Sequence, residues 1–307
     1  MSFSIAIAGK GGVGKTLVCG MLARRMADVG AGPVLVVDAD ANANVNEVLG
    51  MPAGESVGAI REEMKCASGA TSDGMTRAEF LEYKIERALS EGDGLDLLVM
   101  GRPEGPGCYC YANNLLRDIL RRLADRYRYV VIDNEAGMEH LSRRLMQDLD
   151  LLLIISDPTL RGIDTAFRLS RVPEEVETRV GAKALLVNRV PQGGLSAEAE
   201  RRIEDGGLRF LGSIPEDPEV TRCDQELGSL SSLYPDSVFA RHVADIATRL
   251  GLDPFPHHLR TAAAGSDVPS RPSPSGRIDA RSSTPSASAS PRAATTRSSR
   301  PPRDTSR

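Results

Sequence analysis

Short apolar runs alternate with longer amphipathic stretches along most of the chain. Several runs are apolar at every position rather than at every second one, which is typical of strands covered on both faces. The predicted strands are Phe3–Ala8, Val34–Asp38, Leu95–Met100, Tyr129–Asp133, Leu151–Ser156, Ala184–Asn188 and Arg209–Ser213. The predicted helices are Leu17–Val29, Ala78–Leu89, Asn113–Arg126, Glu139–Leu145, Asp164–Glu177, Ala197–Glu204 and Val238–Leu250. The alternation predicts an α/β fold, a doubly wound and mostly parallel sheet with helices on both faces and ligands at the carboxyl ends of the strands.

Two segments depart from this alternation. Residues 50–77 are irregular and contain several glycines, and we expect an inserted loop and short helix there, on the ligand side. Residues 261–307 are rich in Ser, Pro and Arg, and they hold too few apolar side chains to offset the entropy of an ordered chain. The sequence therefore predicts one folded domain over residues 1–258 and a disordered C-terminal tail over residues 261–307.

The net charge of −4 is unevenly distributed. Residues 261–307 hold eight Arg and three Asp, a local +5, which leaves −9 on residues 1–260. An acidic folded part argues against nucleic acid as a partner. Because no apolar run approaches the ~20 residues that span a bilayer, and the N-terminus lacks a signal-peptide pattern, we expect a cytoplasmic protein with no membrane partner.

A phosphate-binding motif, G-x-x-x-x-G-K-[ST], follows the first predicted strand and precedes a helix. Its glycines let the backbone curl so that N–H groups point inward, and the helix presents its positive end to the anion. Lys15 is expected to reach the β- and γ-phosphates, and the Thr16 hydroxyl to hold Mg²⁺. The residues expected to bind the nucleotide here are Gly9, Gly11, Gly12, Val13, Gly14, Lys15 and Thr16.

Carboxylates end two of the other predicted strands, where the γ-phosphate and Mg²⁺ must lie. Asp38 and Asp40 follow the second strand, and we expect Asp40 to orient or deprotonate the attacking water. The alternative is that these two residues cap the next helix. Asp133 fits the strand-terminal acid that binds Mg²⁺, usually through water. Gly137 is placed to sense the γ-phosphate, which makes residues 133–137 a candidate switch.

A second lysine, Lys10, distinguishes this phosphate loop. The pairing of Lys10 with Lys15 resembles the deviant loop of the MinD/ParA/nitrogenase-iron-protein group of ATPases, which are P-loop NTPases of the SIMIBI type. The resemblance implies that Lys10 reaches the nucleotide of a partner subunit, so that ATP closes a homodimer and hydrolysis releases it. It also implies that Asn188 reads the adenine edge and that the loop containing Pro215 flanks the base.

Two cysteines, Cys108 and Cys110, lie in a Gly/Pro-rich segment between a strand and a helix. In extended backbone, residues two apart point the same way, so both sulfurs can meet one ion. Two thiolates do not complete a four-ligand shell, and the same pair from a twin subunit would complete it. The alternative is that both pack as small hydrophobic residues. Cys19 is expected in the core, and Cys66 and Cys223 are assigned no role.

Residues 101–110 (Gly-Arg-Pro-Glu-Gly-Pro-Gly-Cys-Tyr-Cys) and 133–144 (Asp-Asn-Glu-Ala-Gly-Met-Glu-His-Leu-Ser-Arg-Arg), with the Lys10 loop, resemble the CooC-type nickel-insertion ATPases. That resemblance implies an ATPase that holds one Ni²⁺ or Zn²⁺ per dimer. ATP turnover would be coupled to nickel delivery into carbon monoxide dehydrogenase or acetyl-CoA synthase. For His140 three roles stay open: a metal relay, a link between the switch and the cysteine loop, or an ordinary hydrogen-bonded helix residue.

Two other functions stay open at this stage. An iron–sulfur reductase like the nitrogenase iron protein needs a cysteine on the segment after Asp133, where this chain has Ala136. A ParA/MinD-like positioning ATPase needs a basic patch or a terminal amphipathic helix, and the Arg-rich tail has no apolar face.

Overall fold

The computed structural model describes residues 2–40, 44–66, 76–101, 110–135, 148–175, 178–226 and 230–252. The strands are β1 (Phe3–Gly9), β2 (Val34–Ala39), β3 (Ser90–Glu91), β4 (Leu95–Val99), β5 (Tyr129–Asn134), β6 (Asp148–Ser156), β7 (Arg179–Val190) and β8 (Arg209–Pro215). The helices are α1 (Lys15–Asp28), α2 (Val45–Leu49), α3 (Val57–Cys66), α4 (Arg77–Ala88), α5 (Cys110–Ala124), α6 (Leu160–Leu169), α7 (Val172–Glu175), α8 (Ala197–Asp205), α9 (Pro218–Glu226) and α10 (Val238–Arg249), with a 3-10 helix at Leu230–Leu233.

The strands form one sheet in the order β3-β4-β2-β5-β1-β6-β7-β8. All neighbouring pairs are parallel except β3 with β4. The chain moves from β1 toward β2 on one side and from β5 across β1 to β6 on the other. The direction of winding therefore reverses beside β1, which is where open parallel sheets bind ligands. The predicted fold class is confirmed.

Both faces of the sheet are covered, as the continuous apolar runs predicted. In β1, Ile5 and Ile7 face one hydrophobic core, whereas Ala6 and Ala8 face the other. Helices α1 and α10 cover the first face, and α3, α4, α5, α6 and α8 cover the second. Among the helices that the structure describes, none is both long and apolar enough to cross a bilayer.

Several element boundaries differ from the prediction. The helix expected at Asp164–Glu177 begins at Leu160, because the Thr159 side chain accepts a hydrogen bond from the Gly162 N–H, and it ends at Leu169. The short segments that the sequence analysis missed are α2, α9, the 3-10 helix and β3. Within the predicted insertion at residues 50–77 the structure describes α3. The predicted helix Glu139–Leu145 and the predicted tail at 261–307 lie outside the described residues.

Candidate nucleotide site

The phosphate loop leaves the carboxyl end of β1 and enters α1. Gly9 pairs with Ile155 of β6, and a Cβ atom on Gly9 would lie 2.4 Å from the Ile155 carbonyl oxygen. Gly14 caps α1 with φ of 90°, and a Cβ there would lie 2.5 Å from the Asn188 side-chain nitrogen. Gly11, by contrast, is exposed and has no neighbour within 4 Å of a Cβ position. The loop is therefore fixed at both ends and open at its outer turn.

The two lysines of the loop have different surroundings. Lys15 is buried, with 7% exposure, and its Nζ donates to the Lys10 carbonyl oxygen at 3.2 Å. Lys10 is exposed at the surface of the loop. A buried ammonium that is bonded to one loop carbonyl is placed to neutralise an anion held by the loop N–H groups.

Asp133 faces the start of α1 from the end of β5. It lies opposite Ile7 of β1 and Asp38 of β2, and its Oδ2 accepts from the Thr16 hydroxyl at 2.7 Å. Its other oxygen, Oδ1, is buried and has no hydrogen-bond partner in the described part of the chain. Burial raises the pKa of Asp133 to about 7, and the nearby Asp38 also raises it, whereas the Thr16 hydrogen bond and Lys15 lower it.

The Thr16–Asp133 pair fits a divalent cation. Mg²⁺ takes oxygen ligands and is usually held by one or two carboxylates or hydroxyls, with water and phosphate completing the shell. The orphaned Asp133 Oδ1 and the adjacent Thr16 hydroxyl supply such oxygens. A cation there would also offset the cost of burying the unpaired carboxylate.

Asp38 acts on the backbone that follows β2. Its Oδ1 accepts from the Asp40 N–H at 3.1 Å, and its Oδ2 accepts from the Val45 N–H, the first residue of α2, at 2.9 Å. Burial raises the pKa of Asp38 even though both backbone hydrogen bonds lower it. For Asp38 the capping alternative therefore describes the contacts, and its contact with nucleotide stays a prediction. Asp40 lies close enough for its charge to raise the pKa of Asp133.

Asn188 is buried, and both ends of its side-chain amide bind backbone. Its Nδ2 donates to the Val13 carbonyl oxygen of the loop at 2.8 Å, and its Oδ1 accepts from the Arg189 N–H at 2.8 Å. This side chain holds the loop against β7, and recognition of adenine stays a prediction. Pro215 ends β8 opposite Val190 of β7, and its role beside the base likewise stays a prediction.

Asn134 is a positioning residue that the sequence analysis missed. It is 2% exposed, and its Nδ2 donates to the Ile7 carbonyl oxygen of β1 at 3.1 Å. It thus ties the strand of the phosphate loop to the strand of Asp133. A polar residue at the end of an apolar strand was a visible signal, but its partner depends on β5 lying beside β1, which the sequence does not reveal.

One of the two cysteines expected to bind nickel, and part of the switch, lie outside this description. Gly137, Cys108 and His140 are outside the described residues. Cys110 is the first residue of α5, so the extended geometry assumed for the cysteine pair does not hold at Cys110. Within the described ranges, no three His, Cys, Asp or Glu side chains cluster as metal ligands. Cys19 lies in the core as predicted.

Comparison with known proteins gives the following matches. The family described as the CobQ/CobB/MinD/ParA nucleotide binding domain matches residues 4–229. An uncharacterized ATP-binding protein of Methanocaldococcus jannaschii is 39% identical over 252 residues, which are 80% of this chain and 97% of that protein. The carbon monoxide dehydrogenase accessory protein CooC of Rhodospirillum rubrum is 33% identical over 245 residues, 75% of this chain and 90% of that protein.

The solved structure of the MinD cell division protein of Aquifex aeolicus has the same fold. It matches with a TM-score of 0.59 at 21% sequence identity, over 83% of this chain and 99% of that one. The family match at residues 4–229 contains the phosphate loop, Asp133 and Asn188. The chain belongs to the CobQ/CobB/MinD/ParA family of nucleotide-binding P-loop ATPases.

Proposed function

We propose that this protein is an ATP-hydrolysing metallochaperone that inserts nickel into carbon monoxide dehydrogenase or a related nickel enzyme such as acetyl-CoA synthase. The observation that carries the nucleotide half is the Thr16–Asp133 pair with its orphaned carboxylate oxygen beside the phosphate loop. The observation that supports the metal half is the 33% identity with a carbon monoxide dehydrogenase accessory protein, taken with Cys108 and Cys110.

In this proposal the loop binds the phosphates of ATP through its backbone N–H groups and Lys15. Thr16 and Asp133 hold Mg²⁺, which supplies positive charge to the phosphate oxygens when it is bound. Asp40 orients the attacking water, and Gly137 reports the γ-phosphate to the segment after β5. Asn188 and Asn134 keep the loop in register with its neighbouring strands, because their amides are bonded to the Val13 and Ile7 carbonyl groups.

The proposed active form is a homodimer. Lys10 is exposed at the outer turn of the loop, where it is free of the protein interior and can reach a second subunit. A cation supplied across a two-fold axis would neutralise charge on the partner's phosphates, as an arginine finger does in other P-loop enzymes. ATP therefore brings two chains together, and loss of the γ-phosphate weakens the contact.

The proposed nickel site is shared between the two subunits. Cys110 opens α5, and the first turn of a helix stabilises anionic groups such as a thiolate. Cys108 lies two residues earlier, and two such pairs give the four sulfur ligands of a closed shell. Because protons compete for thiolate, retention of the metal should weaken in acid.

The test is metal analysis combined with equilibrium sedimentation of the reduced protein, with and without ATP. The wild type should hold about one divalent ion per two chains, as expected for a four-sulfur site shared by two subunits. The Cys108→Ser/Cys110→Ser double variant should lose the ion and keep ATP binding. Cys223→Ser is the control, because Cys223 is a free, buried cysteine on α9. The proposed shared nickel site is contradicted if the double variant retains the metal, or if a single chain binds it irrespective of nucleotide.

Two outcomes would instead favour the other functions. A brown, air-sensitive protein with iron bound at the same cysteines would favour an iron–sulfur reductase. ATP-dependent pelleting with anionic vesicles that is lost on removal of residues 261–307 would favour a positioning ATPase. The solved MinD structure has the same fold as this chain. All three candidate functions include ATP hydrolysis, so an ATPase assay tests the nucleotide site and does not distinguish between them.

A further inference from the structure

The carboxyl end of β7 holds a residue with an unusual backbone conformation. Arg189 has φ of 57°, whereas every other positive φ among the described residues belongs to glycine. A Cβ atom crowds the backbone in this left-handed conformation, which glycine, asparagine and aspartate adopt more readily than arginine does. Arginine at this position therefore lowers the stability of the fold, and strained residues of this kind concentrate at sites that bind ligands.

A β-bulge sets the position of Arg189. In the pairing of β7 with β8, Asn188 and Arg189 both lie opposite the single residue Ile214. An extra residue of this kind bends the strand and changes the direction of the side chain next to it, and such bulges are common beside active sites. Asn188 is buried here, and Arg189 is exposed.

The bulge is tied to the phosphate loop by hydrogen bonds. The Asn188 side chain donates to the Val13 carbonyl oxygen at 2.8 Å and accepts from the Arg189 N–H at 2.8 Å. One side chain thus holds both the loop and the left-handed backbone. The Arg189 guanidinium makes no hydrogen bond, ion pair or ring contact with any residue that the structure describes. Its backbone is therefore fixed, and its charged end is left for a ligand.

The strand order indicates which part of a nucleotide lies beside β7. Asp133, the proposed Mg²⁺ ligand, ends β5 on one side of β1, and Mg²⁺ bridges the β- and γ-phosphates. In the proposed complex the ribose and base extend to the other side of β1, across β6 toward β7. Because β7 is two strand spacings, about 10 Å, from β1, a residue at its end lies beyond the phosphates and beside the base.

We infer that Arg189 binds the base of the nucleotide by laying its guanidinium on the face of the purine ring. This inference rests on the nucleotide site of the proposed function and adds a residue to it. A guanidinium is planar, stays charged and stacks on aromatic faces. The strained backbone is then explained, because it presents the side chain to the base in one direction before the ligand arrives.

The experiment compares a non-hydrolysable ATP analogue with tripolyphosphate, which has the phosphates and no base. Both dissociation constants are measured by isothermal titration of the whole chain with Mg²⁺ at about 0.15 M ionic strength. Arg189→Gln removes the guanidinium and should weaken binding of the analogue by about fivefold, as expected for a partly exposed cation–π contact. It should change tripolyphosphate binding by less than about twofold, because salt screens the lost charge.

The matched control is Arg179→Gln. Arg179 is an exposed arginine at the first residue of β7, on the opposite edge of the sheet, and this variant should bind both ligands as the wild type does. If Arg189→Gln binds the analogue as well as the wild type, the inference is overturned and the phosphate site stands. An equal loss for both ligands also overturns it, because the guanidinium would then act on the phosphates. A wild type that binds neither ligand contradicts the nucleotide site, and the inference with it.

A second variant, Arg189→Gly, separates a ligand contact from a structural role. Glycine suits the left-handed backbone, so this variant should have a higher midpoint of urea unfolding than the wild type. It should bind the ATP analogue as weakly as Arg189→Gln does. A midpoint below that of the wild type would mean that the arginine side chain supports the fold, which overturns the inference.

Discussion

At the scale of the residue, Asp133 is a side chain whose environment departs strongly from that in water. It is 1% exposed, and one of its two carboxylate oxygens has no hydrogen-bond partner among the described residues. The Thr16 hydroxyl and Lys15 favour the charged form, but burial outweighs them and raises the pKa to about 7. Without a bound cation, the charged carboxylate of Asp133 is thus unfavourable in the folded state. A ligand of opposite charge would stabilise it.

The first prediction concerns how stability depends on pH in the absence of nucleotide and Mg²⁺. Native Asp133 holds its proton up to a pH of about 7, whereas the unfolded chain releases it near its ordinary value of about 4. The native state therefore binds more protons in this window, and Asp133 makes the free energy of unfolding fall as pH rises from 4 to 7.

Asp133→Asn should remove up to about 1.4 kcal/mol per pH unit from that slope, as measured by urea unfolding at several pH values. The exposed Asp93→Asn is the control, and its slope should match the wild type. An Asp133→Asn protein with the wild-type slope would show that Asp133 is already charged in the folded protein.

A second residue-scale prediction concerns Mg²⁺. The cation competes with the proton for Asp133, so Mg²⁺ should tighten ATP-analogue binding more at pH 8 than at pH 6. The gain should fall by about tenfold for each pH unit below 7, which isothermal titration with and without Mg²⁺ can measure. An equal gain at both pH values would place the cation away from this carboxyl group.

The site residues divide by whether their chemistry is local in sequence. The loop from Gly9 to Thr16 could be predicted because its glycines, lysine and threonine lie in one continuous segment. Their spacing in the sequence is therefore enough to indicate how they are arranged in space. The capping by Asp38 was readable only as an alternative, and the loop contact of Asn188 was not readable, since each depends on a partner in another element. Asn188 reaches Val13 only because β7 lies two strands from β1 in the sheet.

At the scale of the element, the strands were predicted better than the helix ends. A strand buried on both faces is apolar throughout, and β2, β4 and β5 are buried at every residue. Helix starts depend instead on one capping side chain. Thr159 begins α6 four residues earlier than hydrophobic periodicity indicated, because its hydroxyl accepts from the Gly162 N–H. Two-residue β3 and five-residue α2 are too short to show any period.

The contact between α1 and α2 gives the element-scale prediction. Gly20→Ala would place a Cβ 2.4 Å from a Val48 methyl carbon, so α2 must shift away from α1. The overpacking should exceed the gain in helix propensity and lower the free energy of unfolding by about 1–2 kcal/mol, measured by urea unfolding. Gly193→Ala is the control, since nothing lies within 4 Å of a Cβ at that position. A stabilised Gly20→Ala variant would mean that the two helices separate without cost.

At the scale of the whole molecule, the strand order positions the chemistry. The chain crosses over β1 between β5 and β6, so the phosphate loop, Asp133 and Asp38 meet at the carboxyl edge of three adjacent strands. The sequence predicted that such strands end in functional residues, but it did not give their order. The order of the strands depends on which face of the sheet each connecting helix packs against. That choice is determined by how both hydrophobic cores pack.

The last prediction tests the domain boundary at the same scale. If residues 261–307 are disordered, they expose no new surface on unfolding, so a chain that ends at residue 258 should keep both the urea midpoint and the m-value of the full chain. The matched control ends at residue 249 and removes Leu252, which is 3% exposed in the core and donates its N–H to the Ala247 carbonyl oxygen. Loss of that contact should lower the midpoint. A smaller m-value for the chain ending at 258 would mean that the tail is packed, because removing packed residues reduces the surface exposed on unfolding.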